Sequence, residues 1–247
     1  MVKVKSNNYK SQSLKAVGVG NNKMLDSKIL EFLMGLKIDA RLPKGIEVMN
    51  PYHDEYTVRL CKAFYKKFYN DHHPRSLLLG INPGRFGSGI TGISFTDPIK
   101  LERECGIENT FVKKPELSSD FIYKMIKSFG GPEVFYKHYF ISAVSPLGFT
   151  KKGKNINYYD DKKLEKAVLP FIVDSVNTLL PMGFSQHKCY CIGEGKNFDF
   201  LQKLNEDHQW FEEIVPLAHP RYIMQYRRKQ LNRYIATYLE ALLPPRG

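Results

Sequence analysis

The sequence predicts a three-layer α/β/α sandwich around a central, mainly parallel four-stranded sheet. Three observations predict it. Four short apolar runs read as strands: SLLLGIN (76–82), YFISAVSP (139–146), KCYCIG (188–193) and EEIVPLAHP (212–220). The first is continuously apolar, as a strand buried on both faces must be. Amphipathic helical stretches separate the runs, and strands separated by helices imply parallel crossovers. The chain has 247 residues and is 43% hydrophobic, enough to bury the core of one large domain.

The elements follow in order. Residues 1–24 are polar and basic and are expected to form a flexible tail. Residues 25–247 read as one domain with no internal repeat. Apolar positions at helical spacing predict a helix over 26–38. LPKGIEVMNPY (42–52), rich in Pro, Gly and Asn, reads as an ordered loop. A helix over 54–70 turns Val58, Cys61, Phe64, Tyr65 and Phe68 inward. Ser118 or Ser119 caps a helix whose inner face is Phe121, Ile122, Met125, Ile126 and Phe129, and Gly130-Gly131-Pro132 ends it. A long helix covers 160–180, with Pro170 forcing a kink or a restart. A helix begins near Lys196, and the last one, 226–243, buries Leu231, Ile235, Leu239 and Leu242.

Charge narrows the partners. Lys plus Arg is 37 against 25 Asp plus Glu, a net charge of +12, which favours a polyanion, nucleic acid above all, or an anionic surface. No run of 18 apolar residues offers a membrane span. The N-terminus has no apolar signal core. Cys61, Cys105, Cys189 and Cys191 lack zinc or iron–sulfur spacing. Four reduced thiols in an intracellular monomer, with no metal and no cofactor, are expected.

In open parallel sheets the ligand sits beyond the carboxyl ends of the strands. Those ends carry Asn82-Pro83-Gly84, Ser142 to Pro146, Gly193 to Lys196, and His219-Pro220. Gly87-Ser-Gly89-Ile-Thr-Gly92 formally matches G-x-G-x-x-G, but the first glycine does not follow the strand directly, and Gly92 opens no helix. No G-K-[ST] follows, so this is no phosphate-cradling loop. No serine sits in a G-x-S-x-G elbow, which argues against an ester hydrolase.

The whole stretch GINPGRFGSGITGISF (80–95) resembles the G-x-N-P-G-x-F-G-x-x-x-T-G-x-x-F motif of the single-strand-selective monofunctional uracil-DNA glycosylases, within the uracil-DNA glycosylase superfamily. The strand end at His219-Pro220, the segment 116–149 with its GGPEVF and SPL elements, and CIGEGKNFDFL (191–201) are similar to that family in the same order. The resemblance covers residues 76–243. It implies a monofunctional DNA glycosylase of base excision repair that flips uracil or a related deaminated base out of single- or double-stranded DNA and hydrolyses its glycosidic bond.

The resemblance also implies roles. Asn82 matches the water-positioning residue. His219 matches the donor to the pyrimidine oxygen, where negative charge develops. Phe95 matches the ring that stacks on the flipped base, and Gly84 and Phe86 of the same motif belong with it in the base pocket. Lys196, at a helix start, suits a phosphate. The segment after His219, PRYIMQYRRK (220–229), departs from the family's Pro- and Asn-rich wedge, yet with Arg221, Tyr222, Ile223, Met224 and Arg227 it keeps the composition of a DNA wedge. Lys151, Lys152 and Lys154 form a second basic stretch on a loop.

A second departure concerns the reading of the base. Where the family places a base-reading Asn, three residues before the strand's Pro, this chain has Ala143. Ser142, Ser145, Asn155 or backbone must take that part, or the preferred base differs. The alternative reading is a catalytically inactive nucleic-acid-binding protein on the same fold.

Overall fold

The computed structural model describes residues 23–243. The expected tail lies almost wholly outside the described residues. The chain runs α1 (Leu25–Met34), β1 (Ile46–Met49), α2 (Glu55–Tyr69), β2 (Arg75–Gly80), α3 (Ser88–Thr91), α4 (Pro98–Arg103), α5 (Leu117–Phe129), α6 (Pro132–His138), β3 (Tyr139–Ala143), β4 (Gly148–Lys151) and β5 (Lys154–Ile156). It continues through α7 (Lys162–Leu179), β6 (Phe184–Ile192), α8 (Lys196–His208), β7 (Glu213–Leu217), α9 (Pro220–Tyr226) and α10 (Leu231–Leu242).

The central sheet has the order β3-β2-β6-β7, and every neighbouring pair is parallel. Leu77, Leu78 and Leu79 are wholly buried, because helices cover both faces of β2. The fold is the expected three-layer α/β arrangement. Strands β2 and β3 end in register, Gly80 beside Ala143. Beyond that pair, Val144 N–H donates to Gly80 O at 2.8 Å and Ser145 N–H to Ile81 O at 3.0 Å, so the strand ends stay stitched together. The chain leaves β2 toward β3 on one side and leaves β6 toward β7 on the other. The divergence opens a crevice at the carboxyl ends of β2 and β6.

Several elements differ from expectation. The loop at 42–52 contains β1, which pairs antiparallel with β4, and β4 pairs with β5, giving a second, three-stranded sheet. Lys151, Lys152 and Lys154 therefore lie on a hairpin. Its two-residue turn, Lys152-Gly153, has φ of 51° and 69°, the left-handed pair that matches strand twist. Helix α5 starts before Ser118 and Ser119, which are buried in its first turn; Ser119 Oγ accepts from Asp97 N–H instead of capping. Helix α7 runs through Pro170 unbroken. The expected last helix is preceded by the separate α9, so the predicted wedge is helical.

Candidate active site

A cleft of about 640 Å³ opens at the carboxyl ends of the strands. It gathers Asn82, Gly84, Phe86, Phe95, Ser142, Ala143, Asn155, His219, Arg221 and Tyr222, ten of the residues singled out from the sequence.

Asn82 follows β2 directly and is held by the hairpin. Its Oδ1 accepts from Tyr158 N–H at 3.1 Å, and its Nδ2 donates to Ile156 O at 3.3 Å. These two bonds fix which end of the amide is oxygen, and leave that oxygen a second lone pair for a water molecule. The scaffold beneath is tied together by side-chain hydrogen bonds. Tyr158, fully buried, donates to Asn197 Oδ1 at 2.8 Å, and Asn197 Nδ2 reaches Gly80 O at 3.4 Å.

Phe95 has φ of 52°, a left-handed conformation costing ~1–3 kcal/mol for a non-glycine residue. The surroundings enforce it. Thr91 Oγ1 donates to Thr96 O at 2.7 Å and accepts from Ile93 N–H at 3.2 Å, closing a tight turn over Gly92, whose own φ is 71°. The turn lays the Phe95 ring on the end of β2: a Cβ at Gly80 would come 2.7 Å from Phe95 Cε2. A flat apolar wall results, with the His219 ring 6.2 Å away.

His219 is the N-cap of α9, with Pro220 at the first helical position. Its Nδ1 accepts from Arg221 N–H at 3.2 Å. A nitrogen that accepts carries no proton, so the neutral ring holds its proton on Nε2. Burial, with repulsion from Arg221, lowers its pKa to about 4, so the ring is neutral at pH 7.

The predicted wedge is corrected in part. Ile223 is 0% and Met224 3% exposed, because α9 packs on α5 and turns them into the core. They touch no cleft. The exposed face of α9 carries Tyr222 and Tyr226 instead, ring centroids 5.9 Å apart, with Arg227 stacked 5.3 Å over Tyr222. Lys196 opens α8, and its Nζ lies 6.0 Å from the ring of Tyr159, which lines the cleft. Ser145 leaves the list of base-reading candidates: it is wholly buried and donates to Leu147 O. Ser142 and Asn155 line the cleft; Asn155 Oδ1 accepts from Arg85 N–H at 3.3 Å, leaving Nδ2 as its free donor.

Sequence reasoning missed Glu116, Arg85, Asn157, Gln225 and Tyr226, all of which line the cleft. No spacing signal marks them, since hairpin, loop and helix bring them in separately. The cysteines are free and buried, and burial pushes Cys61, Cys105 and Cys191 up to about 12. Among the described residues no helix is long and apolar enough to cross a membrane.

The sequence model described as "Uracil DNA glycosylase superfamily" matches residues 66–243. The chain is also similar to a solved structure, that of wild-type Pedobacter heparinus SMUG2, with a TM-score of 0.86 and 47% sequence identity over 88% of this chain and 96% of that one. The matched span, the fold and this identity show the family: the chain belongs to the uracil-DNA glycosylase superfamily, on its SMUG-like side.

Proposed function

We propose that this protein is a monofunctional DNA glycosylase that flips uracil or a related deaminated base into the cleft and hydrolyses its glycosidic bond. The observation that carries the reading is the pairing of Asn82 with a neutral, Nε2-protonated His219 across a wall formed by Phe95. Breaking the bond leaves a sugar cation and a base anion. An amide oxygen is too weak a base to ionise water, but it orients one. That suits a reaction in which the cation forms before water adds. A neutral imidazole N–H stabilises the developing oxyanion without the cost of burying a cation. Phe95 stacks on the base, a contact worth ~1–3 kcal/mol.

DNA is the partner that fits the rest. Tyr222 and Tyr226 offer faces for unstacked neighbouring bases, and Arg221, Arg227 and Lys196 offer charge for phosphates. No residue given a role here needs an added metal or cofactor. The chain is proposed to act as one monomeric domain.

The test is incubation with single- and double-stranded oligonucleotides holding one uracil, followed by alkali to cut abasic sites. Strand breaks at the uracil are expected. Binding without breaks would instead support the inactive nucleic-acid-binding reading.

A further inference from the structure

Glu116 lines the cleft together with the strand-end residues. Its backbone N–H is held 3.0 Å from Asp97 Oδ2, and Asp97, 1% exposed, also caps α4 by accepting from Lys100 N–H at 2.8 Å. Glu116 occupies the N-cap position of α5, yet its side chain does not cap that helix. The carboxyl lies against the glycine loop. A Cβ at Gly87 would fall 2.0 Å from Glu116 Oε2, and one at Gly84 would fall 3.2 Å from Oε1. Two of the loop's glycines are therefore small so that this carboxyl can reach the cleft.

The loop gives the carboxyl little in return. Gly87 and Gly89 N–H both donate to Gly84 O, at 3.2 and 2.9 Å, and Arg85 N–H donates to Asn155. The charged groups that act on Glu116 are Asp97 at the start of α4 and Arg221 on α9, while Arg85, Lys154 and the titratable His219 line the same cleft. The Arg85 guanidinium is turned to Gly153 O and to the Phe86 ring. Burial first, then Asp97, outweigh Arg221 and push Glu116 up to about 7. No described group hydrogen-bonds the carboxyl, and its open side is the cleft.

We propose that Glu116 is a further nucleotide-binding residue, whose neutral carboxyl donates a hydrogen bond to an oxygen of the nucleotide held in the cleft. The inference rests on the proposed function. A carboxylate at this place repels phosphate and donates nothing; the acid form does neither harm. DNA binding then takes up a fraction of a proton on Glu116, about half near pH 7 and approaching one as pH rises above the Glu116 pKa.

The experiment is fluorescence anisotropy with labelled single strands between pH 6 and 8.5, for wild type and Glu116→Gln. One strand carries an uncleavable abasic analogue, the other an uncleavable uracil nucleotide. Wild-type affinity is expected to fall, approaching about tenfold per pH unit above the Glu116 pKa. Glu116→Gln, which always offers an N–H, is expected to hold its affinity to pH 8.5. A wild-type slope with both strands assigns the acceptor to the phosphate; a slope only with the uracil strand assigns it to the base. Either supports the proposal. The same slope in wild type and Gln variant overturns it while leaving DNA binding intact. No binding by wild type at any pH overturns it together with the glycosylase reading. Calorimetry of the wild type in two buffers of different ionisation heat supplies a readout that needs no variant: proton uptake on binding at pH 7.5 is expected, and none refutes the proposal.

Discussion

Replacing Asn82 by alanine separates the chemistry of the site from its architecture, and the structure sets both magnitudes. The side chain makes two strong tethers, accepting from Tyr158 N–H at 3.1 Å and donating to Ile156 O at 3.3 Å. Asn82→Ala leaves the Tyr158 N–H, in the buried turn that follows β5, without its partner. One unsatisfied group of this kind costs ~1–3 kcal/mol, which in a chain of this size lowers Tm by about 2–4 °C for each kcal/mol. The catalytic loss is separate. Removing one positioned polar group from a transition state costs about 100-fold or more, equivalent to ~2.7 kcal/mol. The assay is single-turnover excision from a uracil strand, with enzyme saturating and at a temperature well below the variant's Tm. Binding to the same strand is measured beside it. Retained binding with a rate reduced at least about 100-fold is expected. A folded variant that excises within about threefold of wild type would remove Asn82 from the mechanism.

Three further outcomes follow from the site. His219 has a folded pKa near 4, below its ordinary value of 6.5, so the unfolded chain binds the extra proton in that window; stability should be full above pH 6.5 and decline as pH falls toward 4, and His219→Gln should flatten that decline in acid melts. Saturating single-turnover rates should likewise hold down to about pH 5, and a half-loss near pH 6.5 would contradict the neutral ring. Ala143→Asn, at a nearly buried strand end beside Gly80, should raise uracil excision or sharpen it against hypoxanthine and xanthine; a slower mutant on a wild type already selective for uracil would point to Ser142 or Asn155 as the reader. Tyr222→Ala and Tyr226→Ala should each weaken single-strand binding by ~1–3 kcal/mol without loss of stability, whereas Ile223→Ala should cost ~2–5 kcal/mol of stability; equal effects of all three on binding alone would restore the wedge.

The parts legible in the sequence share a cause. Asn82 and His219 stand where an apolar strand stops, and Phe95 ends a glycine-spaced turn, so local pattern and site position coincide. Ile223 and Met224 show the limit. Tyr-Ile-Met beside arginines has the composition of an exposed wedge and equally of a helix with one buried face, and only the packing of α9 on α5 decides. The β4–β5 hairpin was hidden because KKGKN has little apolar alternation; its turn is defined by two left-handed residues, one of them a lysine. Glu116 carried no signal at all. Its place depends on Asp97, nineteen residues earlier in the chain, and on the space left by Gly84 and Gly87.

A single lone pair joins two tasks at His219. The same Nδ1 that starts α9 also dictates which ring nitrogen keeps the proton. Helix α9 carries Arg221, Tyr222 and Tyr226 to the mouth of the cleft. In the proposed reaction, a pull by DNA on that helix would load the very contact that aligns the donor for the leaving base. On that proposal grip and chemistry are geared together, and a strand seated out of place would meet a histidine turned away from its work.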